Sequence, residues 1–252
     1  MCIAIYKPAD GKISRERLFE AYNANPDGWG VMWSDKDSVE CLKGCYDFNS
    51  FYSLFRLLEN AKKDVVVHFR TASSGSISNE KCHPFYVNKD LAFVENGNLY
   101  EYSDCFADKW KDDRTDIQRF NDEVLQKLPV NFLYKPTIRK RLEDYCKGNQ
   151  TKMVFMDSYG RVAIVNEEAG EWSNGCWYSN GGIENYIGYG YSGAYYYNGG
   201  DTRHRGGLFS VQMLPEEKRS EWSRCPECLG YFRNLEGICS GCETWGGILE
   251  CT

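Results

Sequence analysis

The strongest constraint on this chain is a set of short runs rich in β-branched and aromatic residues. They are Ile3–Tyr6, Gly30–Trp33, Val65–Phe69, Leu91–Val94, Met153–Met156 and Val162–Val165. Each is too short for a helix, and their composition suits a strand packed on its faces. Helical periodicity runs instead through Ser14–Asn23, Phe48–Lys62 and Asp116–Leu128. Ser14 is placed to cap the first of these, with Glu16 and Arg17 following. Val162–Val165 follows Met153–Met156 across Asp157-Ser158-Tyr159-Gly160, which reads as a hairpin. The pattern predicts mixed α and β structure, with sheets covered by helices.

At 252 residues the chain can hold one large domain and a small appendage, and 42% hydrophobic residues supply an ordinary core. A net charge of −6 gives no general attraction to nucleic acid or anionic lipid. No window reaches the apolar length of a membrane span. The opening Met1-Cys2-Ile3-Ala4-Ile5-Tyr6-Lys7-Pro8 turns polar too soon for a secretory signal. The expectation is a cytoplasmic protein with no membrane partner. The 12 cysteines are then not a disulfide framework.

Two C-terminal segments stand apart. Residues 181–207 are rich in Gly and Tyr and read as a linker, with docking through tyrosine stacking as the alternative. Residues 208–252 are too few for an apolar core and need a staple. Cys225 and Cys228 form one Cys-x-x-Cys knuckle, and Cys239 and Cys242 form a second. Four thiolates in two knuckles suit a closed, tetrahedral, structural Zn2+ site, that is, a zinc ribbon. Arg219, Arg224 and Arg233 are outnumbered by nearby glutamates, so a structural or protein-docking role is preferred to nucleic-acid binding.

Cys2 carries the chemical argument. A small side chain after Met1 favours removal of the methionine, which would leave an α-amine on the residue that bears the thiol. The amine titrates near ~7.7–8.0 and the thiol near ~8.5, so one residue can supply both base and nucleophile. A Met-Cys start is weak evidence alone. Further blocks strengthen it: His68-Phe69-Arg70-Thr71-Ala72-Ser73-Ser74-Gly75, then His83-Pro84, then Glu95-Asn96-Gly97.

In their order and spacing these blocks resemble the class II glutamine amidotransferase family of N-terminal-nucleophile hydrolases. The resemblance runs from residue 2 to about 180, and its later part is similar to the closing strands of small stand-alone members. It implies an α+β fold, a four-layer αββα sandwich over residues 2–180, carrying the small zinc ribbon beyond the linker. Catalysis would fall to Cys2, with Asn96 and Gly97 as the oxyanion hole. Arg70 would hold the substrate carboxylate with Ser73 helping, His83 would contribute to the substrate pocket, and Asp116 would bind the α-ammonium. Asp116 could equally be a helix cap. The segment Asn25-Pro26-Asp27-Gly28-Trp29-Gly30-Val31-Met32-Trp33 would shape the pocket, and Trp29 could equally belong to the core. One departure stands out: Glu95 occupies the place where the family usually has His before Asn-Gly. A carboxylate facing a developing oxyanion is unfavourable, so Glu95 is expected to point away.

The implied reaction is hydrolysis of glutamine through a γ-glutamyl thioester. Ammonia would be released, either to a separate synthetase subunit or, if the chain is a stand-alone amidase, without an acceptor. The alternatives are an amidohydrolase for another amide, and a catalytically inactive binding module on the same fold.

Overall fold

A computed structural model of the chain describes residues 2–45, 47–72, 77–102 and 113–180, with the backbone of 222–224 and 231–233. Two antiparallel sheets dominate. The first has the order β3-β2-β4-β1-β10-β9 and the second β5-β6-β7-β8. In the first sheet β1 is Ile3–Lys7, β2 Gly28–Asp35, β3 Ser38–Gly44, β4 Val65–Arg70, β9 Glu171–Ser173 and β10 Cys176–Tyr178. The second comprises β5 Phe85–Asn88, β6 Leu91–Asn96, β7 Lys152–Asp157 and β8 Val162–Val165. The helices are α1 (Arg15–Ala24), α2 (Phe48–Asn60), α3 (Asp116–Glu123) and α4 (Pro136–Gly148).

Alternation along the strands builds four layers from these pieces. On β4, Val65, Val67 and Phe69 join Leu18, Phe51 and Phe55 of α1 and α2 in one buried cluster. Val66, between them, turns the other way and meets Ala92, Val94, Val154 and Met156 of the second sheet. On β6 and β7, Phe93, Met153 and Phe155 pack beneath Ile117, Phe120 and Leu142 of α3 and α4. The period of 2 thus sends neighbouring residues into different cores, and both sheets are covered on both faces. Continuous apolar runs such as Val65–Val67 follow from that double burial.

The helices begin where local chemistry allows. Ser14 caps α1 by accepting from the Arg17 N–H at 3.2 Å, as expected. The third helix is shorter than its periodicity predicts. Val124 leaves helical geometry (φ −122°, ψ −66°), and a 3-10 turn covers Leu125–Lys127. The sequence reading missed α4, which opens on Pro136 and buries only Leu142 and Cys146, too thin a stripe to register as a period.

The proposed linker, 181–207, lies outside the described residues, as do Cys225, Cys228, Cys239 and Cys242. Two short strands flank the first knuckle. Here β11 (Trp222–Arg224) pairs antiparallel with β12 (Tyr231–Arg233), setting Arg224 opposite Tyr231. Among the described residues, no helix is long and apolar enough to cross a membrane.

Candidate active site

The ends of β1, β4 and β6 and the start of α3 converge on one cleft. Register explains why Cys2 and Arg70 meet. Ile3 pairs with Phe69 and Ala4 with His68, so one more step along the antiparallel ladder sets Cys2 beside Arg70. Both line the cleft, with Glu95 and Gly97 from the end of β6 and Asp116 from α3. Asn-Gly here does not make a tight hairpin. β6 runs through to Asn96, which pairs with Lys152, and Gly97 follows at the strand end.

The sulfur of Cys2 rests against the backbone of Thr71. The Thr71 N–H lies 3.4 Å from Sγ, positioned to donate to it, and Sγ is also 3.4 Å from the Thr71 carbonyl oxygen. Loss of solvent in the cleft raises the thiol's pKa; the Thr71 N–H and the positive charge of Arg70 act in the opposite direction. The Thr71 loop is tied down from the Asn25–Gly28 turn. Thr71 Oγ1 donates to Asn25 Oδ1 at 2.7 Å, Ala72 N–H donates to Asp27 Oδ2 at 2.8 Å, and Asp27 N–H donates to the Arg70 carbonyl at 2.9 Å. The expected pocket-shaping segment therefore acts by bracing the backbone around Arg70. Ser73 lies outside the described residues.

On the β10 side of β1, two residues to which sequence reasoning assigned no role hold this same end of the strand in place. Ser179 Oγ accepts from Ala4 N–H at 2.9 Å, Ser179 N–H donates to the Ala4 carbonyl at 2.9 Å, and Asn180 Nδ2 donates to the Cys2 carbonyl at 3.1 Å. Asn96 Nδ2 also reaches Ser179 Oγ, at 2.7 Å. Ser and Asn after a short strand look like ordinary loop residues, and only strand pairing reveals what they face.

Glu95 departs from expectation in part. Alternation does turn it away from Asn96, toward Thr151, whose hydroxyl hydrogen-bonds to Oε1. It nevertheless lines the cleft wall and is 5% exposed. Burial lifts its pKa to about 8; the Thr151 hydrogen bond opposes that rise, and the negative charge of Asp116 adds to it. A neutral carboxyl removes most of the repulsion that a carboxylate would exert on a nearby oxyanion. Gly97 is required by the same packing, because a Cβ there would enter the Thr151 side chain and stand 2.8 Å from Glu95 Oε1.

Asp116 is not the helix cap. Thr115 caps α3 in a reciprocal box with Gln118, which leaves Asp116 to face the cleft and accept from Leu99 N–H at 2.9 Å. Lys81, which sequence reasoning also missed, lines the cleft and pairs with Asp113 at 2.5 Å. Its signal was hidden because a lone lysine in a loop ordinarily reads as solvated.

His83 lines the cleft, and its ring lies 4.3 Å from that of His68. His68 Nε2 is 3.1 Å from the Glu95 carbonyl oxygen; since a carbonyl only accepts, Nε2 carries the hydrogen. Burial drops the His68 pKa to about 3 and holds His83 well below its ordinary value, so both rings are neutral near pH 7. Neither ring nitrogen of His83 has a hydrogen-bond partner among the described residues, which leaves polar capacity beside the cleft. Its backbone needs Gly30, where any Cβ would collide with the His83 carbonyl. Among the described residues there is no cluster of three or more metal-ligating side chains.

Fold and cleft together define an α+β protein with a thiol lining a cleft rich in polar side chains, on two helix-covered sheets. The family model for glutamine amidotransferases class-II matches residues 14–148, more than half of the chain, and the chain belongs to that family. An uncharacterized protein of Methanocaldococcus jannaschii is 27% identical over 111 residues, covering 42% of this chain and 31% of that protein. Among solved structures, a glutamine aminotransferase class-II domain protein from Silicibacter pomeroyi is 18% identical, with a TM-score of 0.32, covering 63% of this chain and 73% of that one. The glutamine phosphoribosylpyrophosphate amidotransferase of B. subtilis is 13% identical, with a TM-score of 0.37, covering 75% of this chain and 44% of that one.

Proposed function

We propose that this chain hydrolyses the side-chain amide of glutamine, with Cys2 as nucleophile once Met1 is removed. The observation that carries the reading is that one cleft is shared by the Cys2 thiol, the Arg70 guanidinium, Gly97 and the Asp116 carboxylate. A free amino acid presents a carboxylate to Arg70 and an ammonium to Asp116, and its amide carbon then faces the thiol. The Cys2 α-amine takes the thiol proton as Sγ bonds to the amide carbon. The tetrahedral oxygen gains negative charge opposite the Gly97 N–H and the Asn96 side chain. Collapse expels ammonia, protonated by the same amine, and leaves a γ-glutamyl thioester. Water, activated by the amine, cleaves the thioester to glutamate and restores the thiol. His83 and Ser73 complete the substrate pocket. A separate synthetase subunit is the proposed acceptor of the ammonia.

The alternative substrate, another amide, is favoured by one observation: Glu95 stands on the cleft wall where the family usually has His. Glutamine-dependent ammonia release, and labelling of Cys2 by 6-diazo-5-oxonorleucine, separate the two. An unlabelled Cys2 with no ammonia released would sink the glutamine reading. Intact mass reads the processing step, since retained Met1 leaves Cys2 without a free amine.

The C-terminal segment is proposed to be a zinc ribbon. Its support is the four-thiol donor set of Cys225, Cys228, Cys239 and Cys242, together with the antiparallel pairing of the strands that flank Cys225 and Cys228. Zinc there would be structural, crosslinking the two knuckles. Elemental analysis should find one zinc per chain, reduced in a Cys239→Ser variant. An equal metal content in the two proteins would refute the assignment.

A further inference from the structure

Cys45 and Cys82 are far apart in sequence, yet their sulfurs lie 4.0 Å from each other. Cys45 follows the end of β3 and is half-buried. Cys82 is fully buried and sits between Lys81 and His83, both of which line the cleft. The contact has a built floor. A Cβ on Gly28 would collide with Cys82 Sγ and stand 3.8 Å from Cys45 Sγ, so both sulfurs pack over a glycine that pairs with Arg70 on β4. Two cations stand near. Lys43 Nζ donates to the Cys82 carbonyl at 2.9 Å, and the positive charges of Arg70 and Lys43 act on the Cys82 thiol. The mechanism above uses neither cysteine.

We propose that Cys45 and Cys82 form an oxidisable dithiol that closes to a disulfide when a hydroperoxide reaches Cys45. The sulfurs must approach from 4.0 Å to about 2.05 Å, a shift that side-chain rotation and a small movement of the 79–84 loop can supply. The order of events follows from exposure. Burial raises the Cys82 thiol above its ordinary value and hides its sulfur, so the more exposed Cys45 reacts first. The Cys45 thiolate attacks the peroxide, the O–O bond breaks, an alcohol or water leaves, and Cys45 becomes a sulfenic acid. The Cys82 thiol then displaces water from that sulfur and the disulfide forms. Two thiols are thereby oxidised by two electrons, and one peroxide is reduced. Because the bond pulls on the residue between Lys81 and His83, its formation reshapes the cleft wall.

The test uses the full chain carrying Cys2→Ala, so that the nucleophile's own oxidation does not intrude. The protein is treated with hydrogen peroxide in small molar excess, blocked with N-ethylmaleimide and digested with trypsin. The expected product is a crosslink between peptides 44–56 and 82–89, reversed by dithiothreitol and absent in a Cys45→Ser variant of unchanged circular dichroism. If Cys45 and Cys82 are both recovered as maleimide adducts, or are linked to other cysteines, the proposal fails. It does not depend on the amidase reading, since no turnover is measured.

Discussion

Asn96, at the end of β6 in one sheet, is joined to Ser179, just beyond β10 in the other, by a hydrogen bond of 2.7 Å from Nδ2 to Oγ. Ser179 Oγ also accepts from Ala4 N–H at 2.9 Å, so one hydroxyl ties the oxyanion candidate to the strand that carries Cys2. Asn96 Oδ1 has no partner among the described residues. The amide has a second orientation of the same shape, in which the Ser179 hydroxyl donates to Oδ1 and both Nδ2 hydrogens are released. That orientation satisfies Oδ1 and arms the amide as a donor.

Ser179→Ala should therefore affect catalysis and stability together. Leaving Asn96 without its partner costs about 1–3 kcal/mol in urea unfolding. Turnover should fall about tenfold or more, with KM little changed, because an oxyanion donor acts in the transition state. Ser179→Thr, which keeps the hydroxyl, should recover much of the turnover. Loss of stability with turnover intact would remove Ser179 and Asn96 from the catalytic machinery.

Asp116→Asn tests substrate recognition separately from folding. An Asn oxygen can still accept the Leu99 N–H that Asp116 now takes at 2.9 Å, so the protein should remain folded. Only the charge offered to an α-ammonium is lost. The expected outcome is a KM for glutamine raised by about 10–100-fold, in line with ~1.5–3 kcal/mol for a charged hydrogen bond, with kcat nearly unchanged. An unchanged KM would mean that Asp116 does not contact the substrate.

Glu95→Gln should flatten the stability profile above neutrality. Folded Glu95 holds its proton up to about pH 8, whereas the unfolded chain has lost it near the ordinary carboxyl value of 4.5. The folded state therefore binds more protons across that window, and stability falls as pH rises through it. His68 acts in the opposite sense and lower down. Its folded pKa of about 3 lies below the ordinary 6.5, so its stabilising contribution is lost as pH falls from 6.5 toward 3. Between pH 6.5 and 8 only the Glu95 effect remains of these two, a decline of up to ~1.4 kcal/mol per pH unit in the wild type. Urea midpoints at several pH values should show that decline, and the Gln variant should lack it.

Gly97→Ala probes the packing at the proposed oxyanion site. The added Cβ would press on Thr151 and Glu95, so overpacking should cost about 1–3 kcal/mol and displace the Gly97 N–H. Ammonia release should fall more steeply than the shift in thermal midpoint suggests, and comparing the two measurements in one preparation checks this.

Much was readable in the sequence because it is encoded locally. Strand runs such as Val65–Val67 declare their burial through composition, the Ser14 cap acts over three residues, and the resemblance of the ordered blocks to the amidotransferase family implied one site for Cys2, Arg70 and Asn96-Gly97, with Asp116 left open between substrate ligand and helix cap. What stayed hidden depends on contacts between distant residues. No local pattern shows that Ser179 meets Ala4 and Asn96, that Lys81 and Glu95 reach the cleft wall, or that Cys45 touches Cys82. The sequence by itself determined the alternation that makes two double-faced sheets and the residue types available for amide chemistry. Tertiary structure alone decided which side chains share a low-dielectric cleft, and so how Glu95 is protonated and what holds Asn96. Those properties arise from burial and from cross-strand register, which no single segment carries.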